Sequence, residues 1–262
     1  MKKLALLLVL FSMLACSSAP ITGRTQILIV PKYEVLEQSS LQYEEVKKES
    51  KILNNQDSIR VKKVGNKIAA AVESFLNSDP AYAGMADDYS WEFNLIESED
   101  VNAWCMPGGK VAVYTGILKY AKDEDSLAVI MGHEIAHAVA EHGRERMSQE
   151  LIKNYGAVTL SSVFSQNPTA ATNLFSQAYG ISSELVTLKY SRDHEKEADK
   201  LGVIFMAMAG YNPNTAVDFW EKMAADKETE PLEFFSTHPN SATRIQLIKE
   251  YIVSPEFSKY IR

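Results

Sequence analysis

Cysteine is nearly absent from the sequence. The 262 residues include two, Cys16 and Cys105. If Cys16 is modified, as argued below, one thiol is left and an internal disulfide is excluded. Cys105 is then either a buried thiol or an intermolecular partner, and its neighbours Val101, Ala103, Trp104 and Met106 favour burial. Basic residues are also in deficit. Lys and Arg number 27 against 34 Asp and Glu, a formal charge of −7. That balance disfavours a chain that holds nucleic acid on a basic surface, so no nucleic acid partner is expected. No internal stretch is apolar and long enough to span a bilayer. The best candidate, "YGAVTLSSVF", is short and carries hydroxyls. There is no internal repeat and no low-complexity tract.

What is present begins with "MKKLALLLVLFSMLAC". Two lysines, a short apolar run and a small residue before Cys16 describe a secretory signal over 1–15. The run ends as a bacterial lipobox does, which makes Cys16 the expected lipidation site and first mature residue. Without Lys2 and Lys3 the mature chain has 25 basic and 34 acidic residues, a charge of −9. Ser17 leans towards the outer membrane in bacteria that sort lipoproteins by an aspartate rule. The expected setting is therefore the periplasm, with the membrane reached only through the lipid. Residues 16–30, around "PITGRTQILIVPKYE", read as a tether. Residues 31–262 read as one globular domain, because 46% hydrophobic residues suffice for a single core.

Along that domain, Tyr33 to Phe75 has helical periodicity with a break near "NNQDS". "SDPAYAGMADDYS" reads as a loop. "WEFNLIE", "VNAWCM" and "KVAVYTG" alternate as strands do, and Pro107-Gly108-Gly109 reads as a hairpin turn. From Lys122 onward the pattern is helical, and Gly143 is the expected stop of the helix that begins at "DEDSLAV".

That helix carries "HEIAH". His133 and His137 are four apart, on one face, and two imidazoles so spaced reach one tetrahedral zinc ion. Glu134 projects beside that position, where it can take a proton from water. A chance match is on the order of one per hundred such chains, so a third ligand is required to support it. His142, five past His137, rotates off the face of a continuous helix and is not expected as a ligand. "SRDHEKEADKLG" supplies the missing group. Glu195 completes a His-His-Glu set with one position left for water. Asp199, one turn on, can accept the spare N–H of a ligand imidazole. Glu197 points elsewhere, and His194 is expected to be structural or exposed.

These two motifs together resemble metallopeptidase family forty-eight, the gluzincins that include HtpX and the CaaX prenyl proteases. "NAWCMPGGKVAVYTGIL" is similar to that family's strand and hairpin beside the cleft, and "STHPNSATRI" to its late His-Pro…Arg element. The resemblance covers nearly the whole mature chain. It is nearest to the soluble periplasmic lipoprotein branch, the LoiP- and BepA-like proteases, without the tetratricopeptide domain that BepA carries. It implies an α+β fold: a mainly helical zincin-like metalloprotease domain with a small β-sheet beside the active-site helix. It implies one zinc ion per chain on His133, His137 and Glu195, with Glu134 as general base.

The developing oxyanion needs a further donor, for which His238 and Arg244 are the candidates. His238 has a second possible role, filling the open metal position in a resting state. Otherwise it is a loop histidine, and Arg244 pairs with an acidic neighbour. Substrate is expected to add as a strand to the edge of Val101–Met106 or Lys110–Tyr114. Contacts would fall at Asn102 and Ala103, and Gly108 and Gly109 would admit another backbone. Such pairing reads few side chains, so the expected partners are unfolded or misassembled envelope proteins. The region from Arg144 to Tyr190 reads as a lid, although its Met147, Leu151, Phe164, Leu174 and Phe175 are better packing residues than a substrate pocket. The reading from a different class is an assembly factor or chaperone whose zinc site is structural or latent.

Overall fold

The computed structural model describes residues 16–155, 168–179, 190–226, 233–238 and 242–261. Residues 1–15, read from the sequence as a signal, and Phe164 lie outside the described residues, as does nearly all of "YGAVTLSSVF".

Residues expected as a tether are folded into the domain. Strands β1 (Cys16–Ser18) and β2 (Thr25–Ile27) pair antiparallel, with Ser17 opposite Gln26. Ala19, Gln26 and Val30 are buried. The sequence reading missed this because three-residue strands are too short to display alternation.

Helices α1 (Lys32–Glu49) and α2 (Gln56–Ser78) follow. The break between them is set by a reciprocal cap. Asn55 Oδ1 accepts from Ser58 N at 3.0 Å, and Asn55 N donates to Ser58 Oγ at 2.9 Å. Val61, Val64, Ile68, Val72 and Leu76 form the buried stripe of α2. That stripe lies on strands β3 (Glu92–Ile96), β4 (Ala103–Met106) and β5 (Lys110–Tyr114). The sheet order is β3-β5-β4, with β3 parallel and β4 antiparallel to β5. β5 is therefore the central strand, which removes it as a substrate edge and leaves β4.

The turn from β4 to β5 uses Gly108 and Gly109 at φ of 75° and 83°, a region that costs side-chain residues strain. A Cβ on Gly109 would run into the Trp91 ring, and one on Gly108 would lie 3.3 Å from Leu36. The space expected to admit a substrate backbone is thus taken by the chain's own side chains.

Helix α3 (Glu124–Val139) starts at a second reciprocal cap, Asp123 with Ser126, and is buried on nearly every side. It ends earlier than the sequence suggests. Glu141 takes a left-handed φ of 55°, and α4 (His142–Tyr155) already contains Gly143. Helix α5 (Pro168–Tyr179) packs on α4 and α1. Met147, Leu151, Leu174 and Phe175 join Val35 and Tyr43 in a second core cluster, so they are packing residues. The main cluster joins α2, the sheet, α3, α6 (Arg192–Met208), α7 (Thr215–Ala225) and α9 (Ala242–Ile252). The short α8 (Glu233–Thr237) lies over the start of β4, where Phe234 N donates to Val101 O at 3.0 Å. Cys105 is buried and free. Among the described residues no helix is long and apolar enough to cross a membrane.

Candidate metal centre

The centre begins at a helix crossing. α3 and α6 touch backbone to backbone at Gly132 and Gly202. A Cβ on Gly132 would sit 2.9 Å from Gly202 O, and one on Gly202 would sit 3.0 Å from His133 N. Any side chain here would push the helices apart. One residue from this crossing, His133 faces Glu195, which lies two turns before Gly202 on α6.

His133, His137, Glu195 and His238 each offer a ligand atom, all within 4.8 Å of one another, and all four residues are buried. His133 Nε2 and His137 Nε2 are 3.1 Å apart. Two ligands on a tetrahedral ion with bonds of 2.0–2.1 Å would be about 3.3 Å apart. Glu195 Oε1 is 3.4 Å from His137 Nε2, and Oε2 is 3.6 Å from His133 Nε2. His238 Nδ1 stands 3.4 Å from His133 Nε2 and 3.1 Å from Glu195 Oε1. It therefore takes the fourth corner that the sequence reading left open.

Glu134 lies at the rim of this group. Its Oε1 is buried without a hydrogen-bond partner, 3.6 Å from His238 Nε2. Burial, helped by the charge of Glu195, pushes its carboxyl up to about 8. Burial likewise holds His137 well below the ordinary imidazole range, so its lone pair is free to ligate. Facing ring nitrogens and a buried carboxylate would be satisfied together by one divalent cation. The donor set of imidazole and carboxylate suits zinc.

Behind these groups Asp199 Oδ1 lies 3.0 Å from His133 Nδ1, an oblique approach. Arg244 makes a fork on Asp199, Nε to Oδ2 at 2.6 Å and Nη2 to Oδ1 at 2.7 Å, and places Nη1 2.6 Å from Glu195 Oε2. It is itself buried. Burial opposes the charge of Asp199, but Arg244 and His133 keep that carboxyl below the usual carboxylate range. Arg244 has two readings from the sequence, an oxyanion donor or a partner of an acidic neighbour. The geometry makes it a positioning residue, because its donors are committed to the two carboxylates.

Asn102 and Ala103 lie at the β4 edge. The Asn102 side chain accepts from Ala103 N at 2.9 Å, and Val101 O beside them is already taken by Phe234.

A second polar network was not legible in the sequence. His142 Nδ1 is 2.9 Å from His137 Nδ1, and His142 Nε2 is 2.8 Å from Glu197 Oε2. Glu197 accepts from Thr22 Oγ1 and from Arg24 Nε. Arg24 Nη2 reaches Glu145 Oε2 at 2.7 Å, which also meets His194 Nε2 at 3.0 Å. His194, expected as structural or exposed, is buried and structural. The signal that was available is composition: all five histidines fall in three short motifs, and all five are buried.

This network contributes to the acid response of the metal-free protein, against the opposite contribution of Glu134. Burial, with the neighbouring His194, holds His142 down to about 4. Burial resists, but His194 and Arg24 hold Glu145 at about 2, and His142, Thr22 and Arg24 hold Glu197 at about 2. All three folded values lie below their unfolded ones, so each contribution is present at neutral pH and lost on acidification. In metal-free Glu134→Gln, which lacks the opposing titration of Glu134, the melting temperature is expected to fall first between pH 6.5 and about 4, as His142 titrates, and further towards pH 2. A flat profile above pH 4 would contradict this.

A helix bearing His-Glu-x-x-His, crossed by a second helix that brings a carboxylate to the same point, defines a metallopeptidase domain. Peptidase family M48 matches residues 66–252. The chain belongs to that family. Over 174 residues, 66% of this chain and 49% of the relative, it is 36% identical to mitochondrial metalloendopeptidase OMA1 of Schizosaccharomyces pombe. It is 30% identical over 256 residues to the Bos taurus metalloendopeptidase OMA1, covering 94% of this chain and 48% of that protein. It is also 29% identical over 189 residues to metalloprotease YcaL of Escherichia coli, covering 72% and 68%. The chain spans about half the length of these two OMA1 relatives.

Proposed function

We propose that the chain is a zinc-dependent endopeptidase of the bacterial cell envelope, acting on unfolded or misassembled envelope proteins. The observation that carries the reading is the meeting of His133, His137 and Glu195 beside an unpartnered buried carboxylate, Glu134. One zinc ion held by those three residues would supply Lewis acidity to the scissile carbonyl and acidify a neighbouring water. Glu134 takes the attacking water's proton and returns it to the leaving amine. Asp199 and Arg244 hold His133 and Glu195 in place. The β4 edge is the expected docking strand, although its start is engaged by Phe234 at Val101 O and by the Asn102 side chain at Ala103 N. The envelope setting and the Cys16 lipid rest on the N-terminal motif alone.

The direct test is cleavage of an unfolded protein such as casein, by the full chain with zinc and then with chelator. Cleavage lost on chelation and restored by zinc supports the reading, and cleavage indifferent to chelator overturns it.

One observation favours the second reading, a latent or assembly-factor role. His238 fills the fourth corner, and Phe234 stacks on its ring at 4.3 Å while bonding to the start of the β4 edge. In that position His238 would act as a plug rather than as an oxyanion donor. His238→Ala is expected to raise turnover of casein several-fold. A fall in turnover would favour the oxyanion role, and unchanged turnover removes both.

A further inference from the structure

His142 stands behind the metal centre, not in it. Its Nδ1 faces His137 Nδ1 at 2.9 Å. Two ring nitrogens at that distance share one proton. For His137 to offer Nε2 to a cation while staying neutral, its Nδ1 must carry that proton and His142 Nδ1 must accept it. The proton of His142 then lies on Nε2 and is given to Glu197 Oε2, 2.8 Å away. Each step fixes the next. Glu197 is held in turn by Arg24 Nε at 2.5 Å and by the Thr22 hydroxyl, both from the turn between β1 and β2. The His142 ring is kept flat on His194, centroids 4.4 Å apart at 14°, and His194 is anchored by Glu145.

Packing alone does not supply this. Tyr190 covers the face of His137 at 3.8 Å and fixes the ring's plane, but a ring face does not choose which nitrogen is protonated. Only an acceptor at Nδ1 does so. The two ligand imidazoles are therefore backed differently, His133 by the carboxylate of Asp199 and His137 by a neutral imidazole relayed to Glu197.

We infer that His142 is a positioning residue which sets the tautomer of His137 and thereby zinc affinity, with Glu197, Thr22 and Arg24 completing the centre from the N-terminal hairpin. This rests on the reading of the site as a metal centre. It adds that a turn about 170 residues from Glu197 in sequence belongs to that centre.

Zinc affinity of the full chain is measured by competition with a chromophoric chelator, for wild type, His142→Leu, His142→Asn and Glu197→Gln. His142→Leu is expected to weaken zinc about 10–100-fold. His142→Asn, whose side-chain oxygen takes the place of Nδ1 and accepts the same proton, is expected to keep most of the affinity. Glu197→Gln is expected to fall between the two. Nitrogen-15 spectra of zinc-loaded wild type read the tautomers without any substitution, so they decide the matter even if His142→Leu fails to fold. His137 protonated at Nδ1 and His142 protonated at Nε2 support the inference.

His142 protonated at Nδ1, or equal zinc affinity of wild type and His142→Leu, would overturn it. So would equal losses in the Leu and Asn variants, which mark a merely structural role. Wild type that binds zinc beside an unaffected His142→Leu overturns this inference alone. Wild type that binds none overturns the metal reading with it.

Discussion

Glu134→Gln is expected to lower turnover of casein by about 10²–10⁴-fold while leaving zinc stoichiometry unchanged. The substitution keeps the shape of the side chain and removes its ability to hold a proton. Glu134 is two per cent exposed, and its Oε1 has no hydrogen-bond partner, so it is a poor structural element. A carboxylate in that position costs desolvation energy, which is why burial lifts it to about 8. Metal-free Glu134→Gln is therefore expected to melt at the same temperature as wild type or higher, because a neutral amide suits the burial better. Loss of activity without loss of stability is the signature of a proton carrier. Turnover retained by Glu134→Gln would remove the catalytic reading, and a large fall in melting temperature would reassign Glu134 to structure.

Arg244→Leu is expected to destabilise the fold by about 3–5 kcal/mol, because it leaves two buried carboxylates without their shared cation. In a chain of this size that corresponds to a fall of roughly 10 °C in melting temperature. Arg244 is 4% exposed, and it touches Asp199 twice and Glu195 once at 2.6–2.7 Å. Its charge stays with the protein throughout the accessible pH range, since Asp199 and Glu195 raise its affinity for the proton against the effect of burial. Zinc is expected to restore part of the loss, because a cation on Glu195 neutralises one of the stranded carboxylates. Melts with and without zinc check both statements. A shift below about 1 kcal/mol, the usual worth of a surface pair, would show that the fork is not what holds these carboxylates.

The sequence made the local parts of this architecture readable. Periodicity located α1, α2, α3 and the three strands, with the break near "NNQDS" between the first two helices, because these patterns repeat within one short segment. The helical spacing of His133 and His137, and of Glu195 and Asp199, is local in the same sense. What was not readable depends on contacts between distant segments. The Thr22 and Arg24 contacts to Glu197 cross more than 170 residues, and nothing in "PITGR" marks its partner. His142 was placed by extending α3 past its end. The left-handed φ at Glu141 breaks the helix and returns the ring to His137. Arg244 had the right motif but two open roles, and only the fold shows that its donors are engaged by Asp199 and Glu195. Gly108 and Gly109 could be read as a turn, but not that Leu36 and Trp91 fill the space above them.

The central claim is that two crossing helices bring His133, His137 and Glu195 onto one divalent cation. Diffraction from zinc-soaked crystals, with anomalous data collected on either side of the zinc edge, tests it most directly. The expected result is a single strong anomalous peak about 2.0–2.2 Å from both Nε2 atoms and from a Glu195 carboxylate oxygen. A peak elsewhere, or none with Glu195 turned away from the two histidines, would contradict it.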